Sequence, residues 1–252
     1  MKGVHTISVA FKLIIFLLIG GVFSHAVSKA EELDPSLLLK KMDEVYAQRD
    51  QAGALKKGES LCDQALTTDL PKDEVYWRFS RLKAWQGFLS QDRPSRLTFF
   101  KEAESLAKKA IDINPQNTEG HFWLGVAYGR IGETQGVLKS FFLIKPIRKE
   151  MDEVLKLNPN HGGAHHVLGV MYHKLPWFKG GSNKKSVEEF QKAIVLNENN
   201  TLYHLDLAKT YLAMNREEEA NKELEAVMTI ANPFDPVMAA LNKKEARALL
   251  GE

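Results

Sequence analysis

Histidine is the residue type here best equipped for chemistry near neutral pH, as a general base, proton shuttle or metal ligand, and the chain has eight of them. Two spacings invite a metal reading. His161 and His165 stand at i, i+4, and His166 and His173 lie two turns apart on one helical face. Zinc requires three or four convergent ligands, and neither an H-E-x-x-H helix nor a cysteine pair accompanies these histidines. His121, His165 and His204 share one position of a repeat described below, which a packing role explains; no metal and no cofactor are expected. Cys62 has no second cysteine to pair with, and its setting, Glu59 to Leu66, is amphipathic and helical, so it reads as a small buried hydrophobe. Gly180-Gly181-Ser182-Asn183 lacks the Gly-Lys-Ser/Thr of a phosphate loop and reads as a turn followed by a helix N-cap. No nucleophile elbow, paired metal motif or dinucleotide fingerprint stands in the chain. A non-catalytic protein is expected.

The elements that carry these residues announce themselves by repetition. Phe122-Trp123-Leu124-Gly125-Val126-Ala127-Tyr128 returns as His166-Val167-Leu168-Gly169-Val170-Met171-Tyr172 and again as Leu205-Asp206-Leu207-Ala208-Lys209-Thr210-Tyr211. Leu, a small residue and Tyr fall at i, i+1 and i+4, with His three before the Leu. A second-helix signature also returns, four times. Ala103, Ala107 and Ala110 lead to Asn114-Pro115, Met151 and Val154 to Asn158-Pro159, Ser186, Phe190 and Ala193 to Asn197, and Ala220, Leu224 and Val227 to Asn232-Pro233. Small residues let antiparallel helices approach closely, and in three of these four hairpins a proline follows the Asn, where it cannot continue a helix. The spacing predicts five hairpins, at 35–71, 73–115, 117–159, 161–198 and 200–233. A capping helix at about 235–250 follows, turning Ala239, Leu241, Ala246, Leu249 and Leu250 onto the last hairpin. Extra residues fall between the first (A) and second (B) helices, at about 88–98, 133–146 and 175–181. The stretch Gly136 to Ile144 is strongly apolar and is expected to end at Pro146 and to bury itself locally, with a partner or lipid contact as the sharper reading.

These signatures resemble the tetratricopeptide (TPR) repeat, W-x-x-L-G-x-x-Y, with His where the consensus often has Trp. The resemblance implies an all-α right-handed superhelix of helical hairpins, with A–B loop insertions and a C-terminal cap. Over about 117–250 the chain is also similar to regulator of microtubule dynamics proteins, through Gly132-Glu133-Thr134-Gln135-Gly136, Phe141 to Ile147, Leu157-Asn158-Pro159 and Leu175-Pro176-Trp177-Phe178. Gly180-Gly181-Ser182-Asn183 before Ser186-Val187-Glu188-Glu189-Phe190 resembles bacterial TPR proteins similar to the T component of TRAP transporters. A TPR stack lines its concave surface with the A helices. In that register the groove takes Trp77 and Arg81, then Phe122, Val126 and Arg130, then His166, Val170 and His173, then Leu205, Lys209 and Leu212. Such a surface, mixed apolar and basic, suits an amphipathic peptide or an apolar ligand with a carboxylate.

Lys2 and Lys12 precede the apolar run Leu13 to Phe23, and small residues follow at Ala26 and Ala30. This predicts a signal peptide over residues 1–30 and a TPR domain over 31–252, with export to a bacterial periplasm; the alternative is a membrane anchor over residues 9–23. Removing Lys2, Lys12 and Lys29 would leave 31 of the 34 basic residues against 32 acidic ones, so nothing asks for nucleic acid as a partner. The sequence therefore points to an exported adaptor that holds a protein or peptide in its concave groove. The second reading is a periplasmic accessory of a TRAP-type transporter, binding a small apolar or organic-acid ligand and a solute-binding protein.

Overall fold

The computed structural model describes residues 35–251, all of whose regular elements are helical; the proposed signal or anchor segment lies outside them. Helices α1 (Pro35–Ala47) and α2 (Ala54–Leu66) form one hairpin, and α3 (Lys72–Leu89) and α4 (Arg93–Ile113) the next. Helix α5 (Thr118–Gln135) is followed by the short α6 (Val137–Ser140) and a 3-10 turn (Phe141–Leu143) before its partner α7 (Ile144–Leu157). Helices α8 (Gly162–Lys174) and α9 (Asn183–Leu196) flank a 3-10 turn (Trp177–Lys179), α10 (Thr201–Leu212) pairs with α11 (Glu217–Thr229), and α12 (Pro236–Leu250) closes the array. Each hairpin buries its apolar stripe against the next, so the described residues form a helical-repeat superhelix.

The core is correspondingly a chain of small clusters. Met151 and Val154 of α7 meet Ala164, Leu168 and Met171 of α8. Val187 and Phe190 of α9 meet Leu207 and Tyr211 of α10 and Ala220 of α11. Leu205 and Ala208 of α10, Leu224 and Val227 of α11 and Ala246 of α12 form the last cluster. Burying each large side chain contributes about 1.5–3 kcal/mol. The repeated small residue explains why the hairpins fit so closely: a Cβ on Gly169 would lie 2.7 Å from the Phe190 ring, and one on Gly125 would lie 2.3 Å from Met151 Cε.

Helix boundaries follow local chemistry. Asn114, Asn158 and Asn197 are the C-cap residues of α4, α7 and α9. Three residues later Asn117, His161 and Asn200 cap the following A helix, their side chains accepting from the backbone N–H of Gly120, Ala164 and Leu202. Each such cap contributes about 1 kcal/mol. The fifth hairpin departs from the expected pattern: α11 ends at Thr229 with Ile230 as its C-cap, two residues before Asn232.

The extra residues at 88–98 and at 133–146 take different forms. At 88–98 they lengthen both helices: α3 runs to Leu89, and Asp92 caps α4 by accepting from Ser95 N–H, with Pro94 in its first turn. At 133–146 Pro146 does not stop a helix as expected. It stands in the first turn of α7, where a missing N–H costs no hydrogen bond. The expected burial of Gly136 to Ile144 is met only in part: Ile144 packs against the α7–α8 cluster, whereas Val137, Leu138 and Phe142 are 66%, 79% and 82% exposed. Gly136 breaks the helix between α5 and α6, with a φ of 92° and ψ of 171° that suit glycine. The cap departs too: Ala239, Ala246 and Leu250 pack inward, whereas Leu241 and Leu249 are exposed and Asn242 is buried on Thr201, to whose hydroxyl it donates at 2.9 Å.

Candidate functional site

The A helices α3, α5, α8, α10 and α12 touch one another in series, so their facing side chains make one continuous inner surface. Polar links tie each to the next. Arg78 and Arg81 of α3 donate to Asp43 of α1, at 3.0 and 2.6 Å. Glu133 of α5 pairs with Lys174 of α8, and His161 at the start of α8 lies 3.2 Å from Glu119 of α5. His166 of α8 meets Asp206 of α10 at 2.8 Å, and Lys209 of α10 reaches Glu245 of α12 at 2.8 Å. Burial opposes charge on Asp206, but the His166 bond and Lys209 outweigh it and hold the carboxyl below its ordinary range. Lys209 is raised in turn: burial works against its charge and Asp206 and Glu245 prevail.

This ladder redistributes the residues assigned to a groove. Arg81, His166 and Lys209 are each bonded to a carboxylate of a neighbouring helix. Phe122 lies 4.7 Å from the His161 ring and packs against the α7–α8 cluster. Trp77 is 7% exposed, its indole N–H donating to Glu74 and its face covered by Arg78. Leu205 is 1% exposed because α12 packs on α10 at that point. Trp77 and Leu205 therefore line the interior, not an open groove. Val170 and Leu212 pack partly on the α9–α10 cluster. Val126, Arg130 and His173 are half-buried; Arg130 donates to Glu133 at 2.9 Å and His173 Nδ1 lies 3.3 Å from Asn183 Oδ1. Between Val126 and Arg130 the surface is open, for a Cβ built on Gly129 meets no atom within 4 Å.

The histidines prove structural in a specific way. Within three successive hairpins the repeat-position His of helix A contacts a Glu of helix B: His121 with Glu150 at 2.6 Å, His165 with Glu189 at 2.7 Å, and His204 with Glu223 at 2.6 Å. In two of them the second ring nitrogen faces a carbonyl oxygen, of Pro115 for His121 and of Glu198 for His204, each at 3.0 Å. A ring with acceptors on both nitrogens is satisfied only as the imidazolium. Accordingly, the Glu150 bond raises the His121 pKa over the cost of burial. For His204 burial is the largest influence and lowers it, but Glu223 and the Glu198 carbonyl together outweigh it. Among the described residues no group of three His, Cys, Asp or Glu side chains is placed to hold a metal.

A family model described as "Regulator of microtubule dynamics protein 1-3" matches residues 38–251. The chain belongs to that family. It is 22% identical to regulator of microtubule dynamics protein 1 of Mus musculus over 198 residues, covering 71% of this chain and 65% of that one. It is 19% identical to regulator of microtubule dynamics protein 3 of Rattus norvegicus, covering 79% of this chain and 45% of that one. The chain thus spans less than two thirds of the length of these curated relatives. Among solved structures, a thermophilic TPR protein of Thermus thermophilus superposes with a TM-score of 0.66 at 17% identity, over 84% of this chain and 98% of that one. The helical-repeat fold read from the Leu–small–Tyr pattern is the fold this family member has.

Two features of this family member escaped the sequence. Arg49, just after α1, is 3% exposed and reaches Asp235, the N-cap of α12, at 2.5 Å, so the first and last elements of the array meet. The Arg49 guanidinium is held over the rings of Tyr46 and Trp85, at 4.4 and 4.3 Å. No local pattern announces a contact across so many hairpins. The second is the exposure of the A–B connections. Its signal was present in Trp177-Phe178 and in the run of lysines without acids around them, but no apolar period distinguishes an exposed aromatic from a buried one.

Proposed function

We propose that this chain is a non-catalytic interaction scaffold that holds an extended segment of a protein partner on the inner face of its A helices, around Val126, Gly129, Arg130 and His173. The observation that supports this is the open space at Gly129 on a face otherwise knitted together by side-chain pairs. An unoccupied stretch flanked by Val126 and a cation suits an amphipathic peptide bearing a carboxylate. The inner ladder braces neighbouring A helices against one another, so the surface is offered preformed, which lowers the ordering cost of binding. Comparing the proteins captured by the wild type, by Gly129→Trp and by Val195→Trp on an exposed B-helix position tests the reading. Gly129→Trp should lose the partners that wild type and Val195→Trp both retain, with the helical signal unchanged. Equal capture by all three would refute it.

The N-terminal segment supports export or membrane attachment as part of the same reading, through a basic flank, an apolar run and small residues at cleavage spacing. Mass spectrometry of the cellular protein should find a chain beginning near residue 27 or residue 31. A retained Met1 on a chain that carbonate leaves in the membrane pellet would favour the anchor instead, and a soluble chain with Met1 would sink both forms.

A further inference from the structure

In the hairpins of α5/α7 and α8/α9 the A–B connections carry large apolar side chains that the core does not use. Val137, Leu138 and Phe142 project from the first, and Trp177 and Phe178, 84% and 63% exposed, project from the second. The two connections adjoin, because Lys179 of one lies 5.3 Å from the Phe141 ring of the other. Single exposed apolar residues are ordinary, but a cluster of this size on touching turns marks an interaction surface.

Charge narrows what that surface meets. No Asp or Glu occurs from Gly136 to Lys149 or from Lys174 to Val187, although basic and acidic residues nearly balance in the whole chain, at 34 and 32. Lys139, Lys145 and Lys149 are exposed on the first segment, and Lys179, Lys184 and Lys185 on the second. Glu133, just before the first segment, is occupied by Arg130 and Lys174. Protein-binding hot spots favour Trp, Tyr and Arg in pockets and are poor in Lys, whereas here every exposed cation is Lys and the aromatic rings stand on projecting tips. Exposed lysines standing beside projecting apolar side chains match a layer of anionic headgroups above an apolar boundary. The tips are also satisfied internally: the N–H groups of Lys179 and Gly181 donate to Pro176 O, that of Gly180 to Trp177 O, and that of Ser140 to Gly136 O. Entering the headgroup boundary would therefore strand none of those donors.

The geometry points to this edge as a docking surface for an anionic membrane, with Phe142, Trp177 and Phe178 entering the headgroup boundary and the lysines holding acidic lipids. Among the described residues no helix is long and apolar enough to cross a membrane, so this contact is interfacial. The proposal rests on the two connections and does not depend on the scaffold reading.

The test uses the full chain with phosphatidylcholine vesicles containing phosphatidylserine, against vesicles of phosphatidylcholine alone. The N-terminal apolar run can carry the chain onto lipid by itself, so the readout is Trp177, the most exposed of the four tryptophans. Its emission should shift to the blue and be quenched by brominated lipid on the anionic vesicles only. Trp177→Phe should lose that signal but still sediment, and Lys139→Glu with Lys179→Glu should weaken the Trp177 response about tenfold or more, as should added salt. Circular dichroism confirms that these surface variants remain folded. Three outcomes would overturn the assignment: association that leaves Trp177 emission unchanged, equal responses on neutral and anionic vesicles, or a blue shift that grows with protein concentration without lipid, which would assign the edge to a second copy of the chain.

Discussion

His121 and His204 are each fixed between a carboxylate and a carbonyl, and that arrangement couples stability to proton concentration. Their pKa values are raised in the fold above the unfolded value of about 6.5. The stabilisation is thus fully present below about pH 6.5 and is lost as pH rises through the folded values. Glu189 and Asp206 act in the opposite sense. Burial raises both, but Lys192 and His165 for one and His166 and Lys209 for the other bring them below the ordinary range, so their contribution is lost as pH falls through the folded values. Stability should peak in weak acid, and urea midpoints should fall as pH rises above about 6.5. His121→Leu with His204→Leu should flatten that decline and cost about 3 kcal/mol or more in weak acid, because Glu150, 6% exposed, then stays buried without its cation. A wild type whose midpoint is flat across this range would show that the imidazolium ions are not held. The sequence revealed that a histidine recurs, because spacing is legible. Its ionisation depends on Glu150 and Glu223, which lie on other helices at register positions that no pattern rule selects.

At the scale of the element, the small residue of helix A decides how near helix B can come. Gly125 and Gly169 occupy the same repeat position, yet their replacement by alanine should differ. The Gly125 Cβ would meet the free end of Met151, at 2.3 Å, which rotates away cheaply; the Gly169 Cβ would meet the Phe190 ring, at 2.7 Å, which the core holds on every side. Gly169→Ala should therefore cost about 1–3 kcal/mol and Gly125→Ala less, although the latter contact is the shorter. Thermal unfolding of the two variants would reveal a reversed order, and that order would mean Met151 is the more constrained. The hairpins themselves were readable because apolar spacing, Asn-Pro closures and caps all agree. Their connections were not, since Asp92 with Pro94 and Gly136 with Pro146 begin new helices, and a proline in a first turn looks in sequence like a proline that ends a helix.

Across the whole molecule the Arg49–Asp235 contact distinguishes this array from an open solenoid, in which each repeat touches only its neighbours. Arg49→Ala should lower stability by about 2 kcal/mol and enlarge the radius of gyration measured by small-angle X-ray scattering. Unchanged scattering would mean that the inner ladder alone sets the curvature. Nothing in the sequence signalled this contact, because curvature accumulates from a small rotation at every hairpin and only its sum decides whether the ends meet.

That meeting changes how the protein answers to force. An unclosed stack relieves a local wedge by fanning its free end outward. With Arg49 buried on Tyr46 and Trp85 and gripping Asp235, the far hairpin has no such slack. A bulky side chain or ligand driven between two A helices must spread its strain around the entire circuit or spring the clasp. Amides near Arg49 and at the start of α12, far apart along the chain, should then lose hydrogen-exchange protection together.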